Sequence, residues 1–558
     1  MPRGDGCLPS CHTGTRALSS PPVLSEAPTA TPPPLTFRRC LLLCLPALVF
    51  GFVLRAVLTY SVPEGYFGSD SNSYFDASFE LWTNGKLEMG AKRRGLYPLF
   101  LIAAPALPGN TPQVVAIVQH AVGLAGLVAI GWITGHFVRR HVLWIPLVTI
   151  LCAAMPQPLW FEREVIADSF VLNFFLLAVA LALPISRLRE QRGRLLFLIA
   201  AASLLALKPH GRPLWVGLVL AAVFIAGNPL RWGWRSHAAL AASVFLILTT
   251  GSSRQGSWLF LSSTLPLVDV SPTNAKWQEY RQPLAPLLAE IGPDPLQYPW
   301  LQGDYKKRLN NEEHPNWAGT AWPALLKDEQ KFAKVAKGLA IEGVLQHPFI
   351  FARMVLMKLG IAFSKLGEPN VKIMPGRFWD EQEVHNVGRW KRNPAQIAMI
   401  YERDQAGYQA MVAERVNRRV VLTTAPRRTA NALIKHWLNH FQHLRWVKET
   451  HHDGARFPTL QLTWVAALGF LGLVRCATPT HFKRALLLVL PCAFYLALVF
   501  TVGDSRDRYL LPLEWILLLL PVLGIDWILQ GLTNLFSRFT RPAQPSGTAG
   551  TVAAGVEG

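Results

Sequence analysis

The stretch from Arg38 to Tyr60, RRCLLLCLPALVFGFVLRAVLTY, decides what kind of fold this chain has. Two cations precede a long apolar run, and a bilayer core about 30 Å thick is crossed by roughly 20 such residues in a helix. The run has no small-residue cleavage site and further apolar runs follow it, so it predicts an uncleaved anchor with a cytoplasmic N terminus. Working outward, further spans are expected at about 113–138, 141–157, 166–184, 195–207, 213–227, 237–252, 457–475, 484–500 and 509–530. The predicted class is an all-α polytopic membrane protein of about 10–13 transmembrane helices, with an α-rich extracytoplasmic segment.

Composition agrees with that class. Of the 558 residues, 51% are hydrophobic and only 16% charged, and the mean hydropathy of +0.24 is too apolar for an ordinary soluble globule. A formal net charge of +20 would point to nucleic acid in a soluble protein. Here the cations sit beside apolar runs, as the positive-inside bias requires, and no nucleic-acid partner is expected. The seven cysteines lie in the N-terminal tail or in or near apolar runs, so no disulfide framework supports the polar middle of the chain.

The basic connectors set the orientation. Arg139-Arg140-His141, the Arg187–Arg194 cluster, Arg231 with Arg235, and Lys483-Arg484 mark the cytoplasmic side. The other side then receives residues 61–96, 156–167, 208–213, 253–456 and 503–509. The organisation expected is a disordered tail over 1–36, rich in Pro, Ser and Thr, and an N-terminal transmembrane catalytic module over 37–252. An extracytoplasmic or interfacial segment over 253–456, C-terminal transmembrane helices over 457–530 and a second disordered tail over 531–558 complete it. The apolar run 96–108 is too short to span and reads as re-entrant or interfacial. The lipid bilayer is one partner, and the expected location is the plasma or inner membrane.

Every loop that mixes acid, base and aromatic residues falls on the extracytoplasmic side. The first reads Gly68-Ser69-Asp70-Ser71-Asn72-Ser73-Tyr74, followed later by Lys92-Arg93-Arg94-Gly95-Leu96-Tyr97-Pro98. A carboxylate just past a span can act as general base, and cations where the chain returns to the membrane can hold a lipid phosphate. On spacing alone, Asp70 can equally cap a helix, and Arg93 and Arg94 can be interfacial anchors. The second loop brings Glu162, Arg163, Glu164 and Asp168 against an apolar run, where a carboxylate is expensive unless paired or facing a polar cavity. The third, Lys208-Pro209-His210-Gly211-Arg212-Pro213, sets two cations on a tight turn, suited to phosphate or to snorkelling. The last reads Asp504-Ser505-Arg506-Asp507-Arg508-Tyr509.

These pieces, in this order, resemble the polytopic class C glycosyltransferases, in the branch of the protein O-mannosyltransferases and the aminoarabinose transferase of lipid A. The chain has Asp70-Ser71 where many members have Asp-Glu. The resemblance implies that Asp70 is the catalytic base and that Asp168, with Glu164 as competitor, is the second acidic site residue. It implies donor-phosphate contacts from Arg93, Arg94, Lys208, Arg212, Arg506 and Arg508, and substrate contacts from Tyr74, Tyr97, Glu164 and Tyr509. The expected reaction moves a sugar from a polyprenyl-phosphate donor to a glycan, lipid or protein acceptor on the extracytoplasmic face, with inversion. The alternative is a transporter or flippase of lipid-linked glycans, which needs the basic cavity but no catalytic carboxylate.

No cofactor is implied, and a divalent metal is left open. His436, His440 and His443 share a helical face that suits a metal, but Leu433, Trp437, Phe441 and Leu444 make the same helix an amphipathic membrane-lying one. His451-His452-Asp453 is a second, weaker cluster.

Overall fold

The computed structural model describes residues 35–61, 95–104, 111–249 apart from His210, 254–271, 277–291, 315–364, 460–502 and 507–540, with scattered positions between them. Nearly all of them are helical. The membrane part begins with α1 (Phe37–Ser61), a short α2 (Leu96–Ala103), α3 (Thr111–Gly135), α4 (His141–Ala153), α5 (Pro156–Arg163) and α6 (Asp168–Ala182). It continues with α7 (Ile185–Arg189), α8 (Gln191–Leu207), α9 (Gly211–Ala226) and α10 (Trp234–Thr249).

The middle segment supplies α11 (Arg254–Thr264), α12 (Gln278–Arg281), α13 (Leu284–Ile291), α14 (Trp322–Lys327), α15 (Glu329–Gln346) and α16 (Pro348–Ser364). A short two-stranded antiparallel hairpin, β1 (Val447–Glu449) and β2 (Arg456–Pro458), pairs Lys448 with Phe457. The chain closes with α17 (Leu460–Cys476), α18 (Pro479–Val502), a 3₁₀ turn over Asp507–Leu513 and α19 (Glu514–Phe539).

Four helical stretches among the described residues are long and apolar enough to cross a bilayer: Phe37–Tyr60, Gln113–Gly135, Pro479–Thr501 and Leu510–Ser537. Two bent pairs make six if each is one span, α4 with α5 at 52° and α15 with α16 at 104°. Shorter apolar helices, Asp168–Ala182, Gly211–Ala226 and Thr463–Cys476, pack among them. The polytopic helical class therefore holds. The expected boundaries do not hold everywhere: the run at 141–157 stops at Ala153 and bends, because Pro156 cannot donate into the preceding turn and opens α5 instead. Residues 156–163, expected in an outside loop, form a helix whose Leu159, Trp160, Phe161, Glu162 and Arg163 are all buried.

Packing follows small residues. In α1, α3 and α4 the helices lie against one another, and α3 continues onto α5 and α6. In the C-terminal half, α17 and α19 are in close contact because Gly472 faces the Leu520 carbonyl and Gly524 faces that of Leu468. Lipid gives no hydrophobic reward for bringing helices together, so such close backbone approaches carry the association. Pro491 inside α18 meets Gly217 of α9 in the same way.

One core runs through the membrane helices. A second, separate core belongs to the middle segment, where Trp317 and Trp322 stack at 5.0 Å and the Trp322 indole donates to the Tyr280 carbonyl at 3.0 Å. Between α11 and α16, Lys358 donates to Ser263.

At the end of the bundle carrying the 139–141 connector, Asp526 of α19 is fully buried and collects donors. It accepts from Arg475 at 2.8 Å, from the Trp144 indole at 2.8 Å, from the Arg139 amide at 3.2 Å and from Gln530 at 2.7 Å. Arg140 adds a contact at 3.5 Å. The cysteines described, Cys40, Cys44, Cys152, Cys476 and Cys492, are free thiols.

Candidate functional site

The site is built where α2, α3, α5, α6 and α8 converge. Asp168 opens α6, where the unpaired amides of a first helical turn favour an acid. Lys208 caps the far end of α8, and its ammonium donates to the Asp168 carboxylate at 2.5 Å, both side chains being buried. Two residues given separate roles by the resemblance, a second acid and a phosphate cation, thus form one ion pair. Arg163, the neighbouring cation in sequence, is buried at the end of α5.

Beside the pair stands an aromatic wall. Tyr97 of α2 is fully buried and packs edge-on against Phe170, two residues past Asp168, at 5.7 Å. Its other side meets Tyr74 of the first loop at 4.9 Å. The Ser78 hydroxyl donates to the Tyr74 carbonyl at 2.8 Å and approaches that of Pro98 at 3.3 Å, which ties the first loop to the start of α2. Burial holds the Tyr97 phenol well above its usual pKa, with Tyr74, Glu164 and Asp168 adding to the effect. It therefore stays protonated and donates, to Gln119 Oε1 at 2.8 Å. Glu164 is half-buried and accepts from the Trp160 indole at 2.9 Å.

Beside it, where His120 follows Gln119 on α3, lies a second charged knot whose pairing the sequence does not show. Glu162 accepts from Arg55 of α1 through two bonds, Nε at 2.7 Å and Nη2 at 2.5 Å, and is hydrogen-bonded to His120 Nδ1 at 2.8 Å. Such a fork-to-fork pair is the geometry in which a buried carboxylate is best satisfied. The signal available is that Arg55 and His120 are charged or titratable groups inside long apolar runs, which lipid alone would not tolerate, although neither names its partner. Room for it comes from Gly123 of α3, whose missing side chain is where the Glu162 carboxylate lies. Below it, Arg55, Glu162, Asn173 and Glu514 line a cavity of about 30 Å³, room for a water and not for a sugar ring.

The remaining candidates divide in two. Arg212 is half-buried in the first turn of α9, close in sequence to Lys208. Arg508 and Tyr509 lie in the 3₁₀ turn that leads into α19, and that turn packs on α6. Asp70, Arg93, Arg94 and Arg506 lie outside the described residues, as do His436, His440, His443 and the 451–453 cluster. No group of three metal-binding side chains occurs among the described residues.

No protein-family model matches the chain, and no curated protein matches it. Two solved structures are similar in fold. One is the archaeal oligosaccharyltransferase AglB from Archaeoglobus fulgidus, in complex with an inhibitory peptide and a dolichol-phosphate, at 10% identity and a TM-score of 0.32. That likeness covers 89% of this chain and 52% of the other, so the chain spans about half the length of the archaeal enzyme. The other is ArnT from Cupriavidus metallidurans bound to undecaprenyl phosphate, at 14% identity and a TM-score of 0.26, covering 73% and 76%. Likenesses of this size assign neither activity nor substrate, which have to be argued from the residues.

Proposed function

We propose that the chain transfers a sugar from a polyprenyl-phosphate donor to a hydroxyl acceptor at the extracytoplasmic face of the membrane in which it is embedded. The observation that carries the reading is the buried Asp168–Lys208 pair, set at the start of a membrane helix and walled by Tyr97 and Phe170. A buried ion pair with one acid and one cation is costly where hydrocarbon is the alternative, and such groups in membrane helices commonly mark a site of chemistry.

In this reading the Asp70 carboxylate takes the proton of the acceptor hydroxyl. The freed oxygen attacks the anomeric carbon from the face opposite the lipid phosphate, a new C–O bond forms and the phosphate leaves with the old bond's electron pair, inverting the centre. Arg93, Arg94, Arg212, Arg506 and Arg508 are proposed to share the charge of the departing phosphate with Lys208. Asp168 is proposed to stand near the sugar ring, where positive charge develops, while its negative charge holds Lys208 in place. Tyr74, Tyr97, Glu164 and Tyr509 are proposed as substrate contacts. The inner membrane, outward-facing location belongs to the same proposal.

The test uses the purified full chain in lipid nanodiscs, polyprenyl phosphates carrying different monosaccharides, and an Asp70→Asn variant. Transfer by the wild-type chain and its loss in Asp70→Asn are expected. Transfer at the wild-type rate in the variant refutes the base. Movement of the intact lipid-linked sugar across the bilayer with no cleavage refutes the enzyme and favours the flippase.

A further inference from the structure

We propose that Gln119 is a positioning residue for the site, a clamp that fixes the turn between α5 and α6 and so sets where Asp168 stands. The inference rests on the transferase reading for its consequence, and on geometry alone for the clamp. Helix α5 ends at Arg163 and α6 begins at Asp168, so the carbonyls at the end of α5 have no helical partner of their own. In water they would be hydrated. Here the helix end is buried among membrane helices, and an unpaired carbonyl there is costly.

The Gln119 side-chain amide fills that need. It donates to the Glu162 carbonyl at 2.8 Å and to the Glu164 carbonyl at 2.9 Å, with a longer approach to Phe161 at 3.4 Å. The Glu164 carbonyl also accepts from the Ile166 amide at 2.8 Å, which closes the turn. The amide of Gln119 is itself oriented, because Tyr97 donates to its oxygen and leaves only the nitrogen facing the turn. One fully buried side chain therefore connects the Tyr97-Pro98 element, which holds the first loop through Tyr74 and Ser78, to the turn that presents Glu164 and Asp168. Tyr74 and Ser78 are registered against the 164–167 turn through it.

The bonds of Gln119 go to the Tyr97 hydroxyl and to the backbone carbonyls of the turn, so its replacement acts on turnover rather than on donor capture. Gln119→Met keeps the volume and removes the bonds. In that variant the turnover of a polyprenyl phosphate monosaccharide falls by about 10- to 100-fold, the scale of a misplacement of order 1 Å, while its KM is unchanged. Backbone amides 164–168 exchange with deuterium about tenfold faster, the loss of roughly one to two net hydrogen bonds. Tyr97→Phe, which frees the amide to flip, speeds exchange at the same amides in smaller measure.

Unchanged exchange at 164–168 in Gln119→Met, or a KM that rises with turnover intact, overturns the clamp. A wild-type chain that transfers no sugar sinks the transferase reading instead, and the exchange measurement still decides the clamp by itself.

Discussion

Replacing Gly123 by alanine adds one methyl group to the middle of α3, and elsewhere in a helix that change stabilises by roughly 1 kcal/mol. At Gly123 the sign reverses. The new Cβ would stand well inside 3.0 Å of both the carboxylate carbon and Oε1 of Glu162, and 3.0 Å from Oε2. Contacts this short force a shift. The flexible partner is the carboxylate, which is pinned by the two bonds from Arg55 and the one from His120. Moving it by an ångström breaks the fork, and breaking a buried pair costs about 3–5 kcal/mol. Set against the helix gain, the expected net loss is about 2–4 kcal/mol.

The measurement is thermal unfolding of the purified chain in detergent. Gly360→Ala and Gly531→Ala serve as references, since nothing lies within 4 Å of the added atom at either position. The Gly123 variant unfolds several degrees lower, and the references unfold at or above wild type. A Glu162→Ala background makes the argument sharper, because the obstruction is then gone and Gly123→Ala becomes neutral or stabilising. A Gly123→Ala single variant as stable as its references would refute the placement of Glu162.

Further outcomes follow from the same geometry. Asp168→Asn and Lys208→Met each leave a buried charge without its partner and lower stability by about 3 kcal/mol, whereas the double variant loses less than the two together; a double-mutant cycle of unfolding midpoints checks this. Asp526→Leu strands Arg475 and destabilises by about 3–5 kcal/mol, with donor KM unchanged because the knot is remote in structure from Asp168. Gly472→Leu or Gly524→Leu drives a side chain into the carbonyls of Leu520 or Leu468 and separates α17 from α19, read as loss of a disulfide cross-link engineered between those helices.

Much of the fold was legible because lipid leaves little choice: long apolar runs must be helices. Residue order also carried part of the site. Asp168 and Lys208 were candidates from their loops, but their pairing across 40 residues requires knowing that α6 and α8 are neighbours. Arg55 and Glu162, 107 residues apart, are a harder case. Each alone reads as a charge in or beside an apolar run, and only the approach of α1 to α3 and α5 turns them into a pair. Gln119 carries no charge and sits in an apolar run, so nothing in its own neighbourhood distinguishes a clamp from a tolerated polar residue. The bend at Met155–Pro156 moved the second loop into the protein because the helix restarted immediately after it. Pro156 signals a break, not its direction.

The Asp526 knot has a consequence for how the chain is made. Arg140 and Asp526 stand 386 residues apart, so during synthesis the Arg140 side chain, the Arg139 amide and the Trp144 indole are in place long before the carboxylate that accepts from them exists. Completion of the last helix is then also the event that ties down the α3–α4 corner.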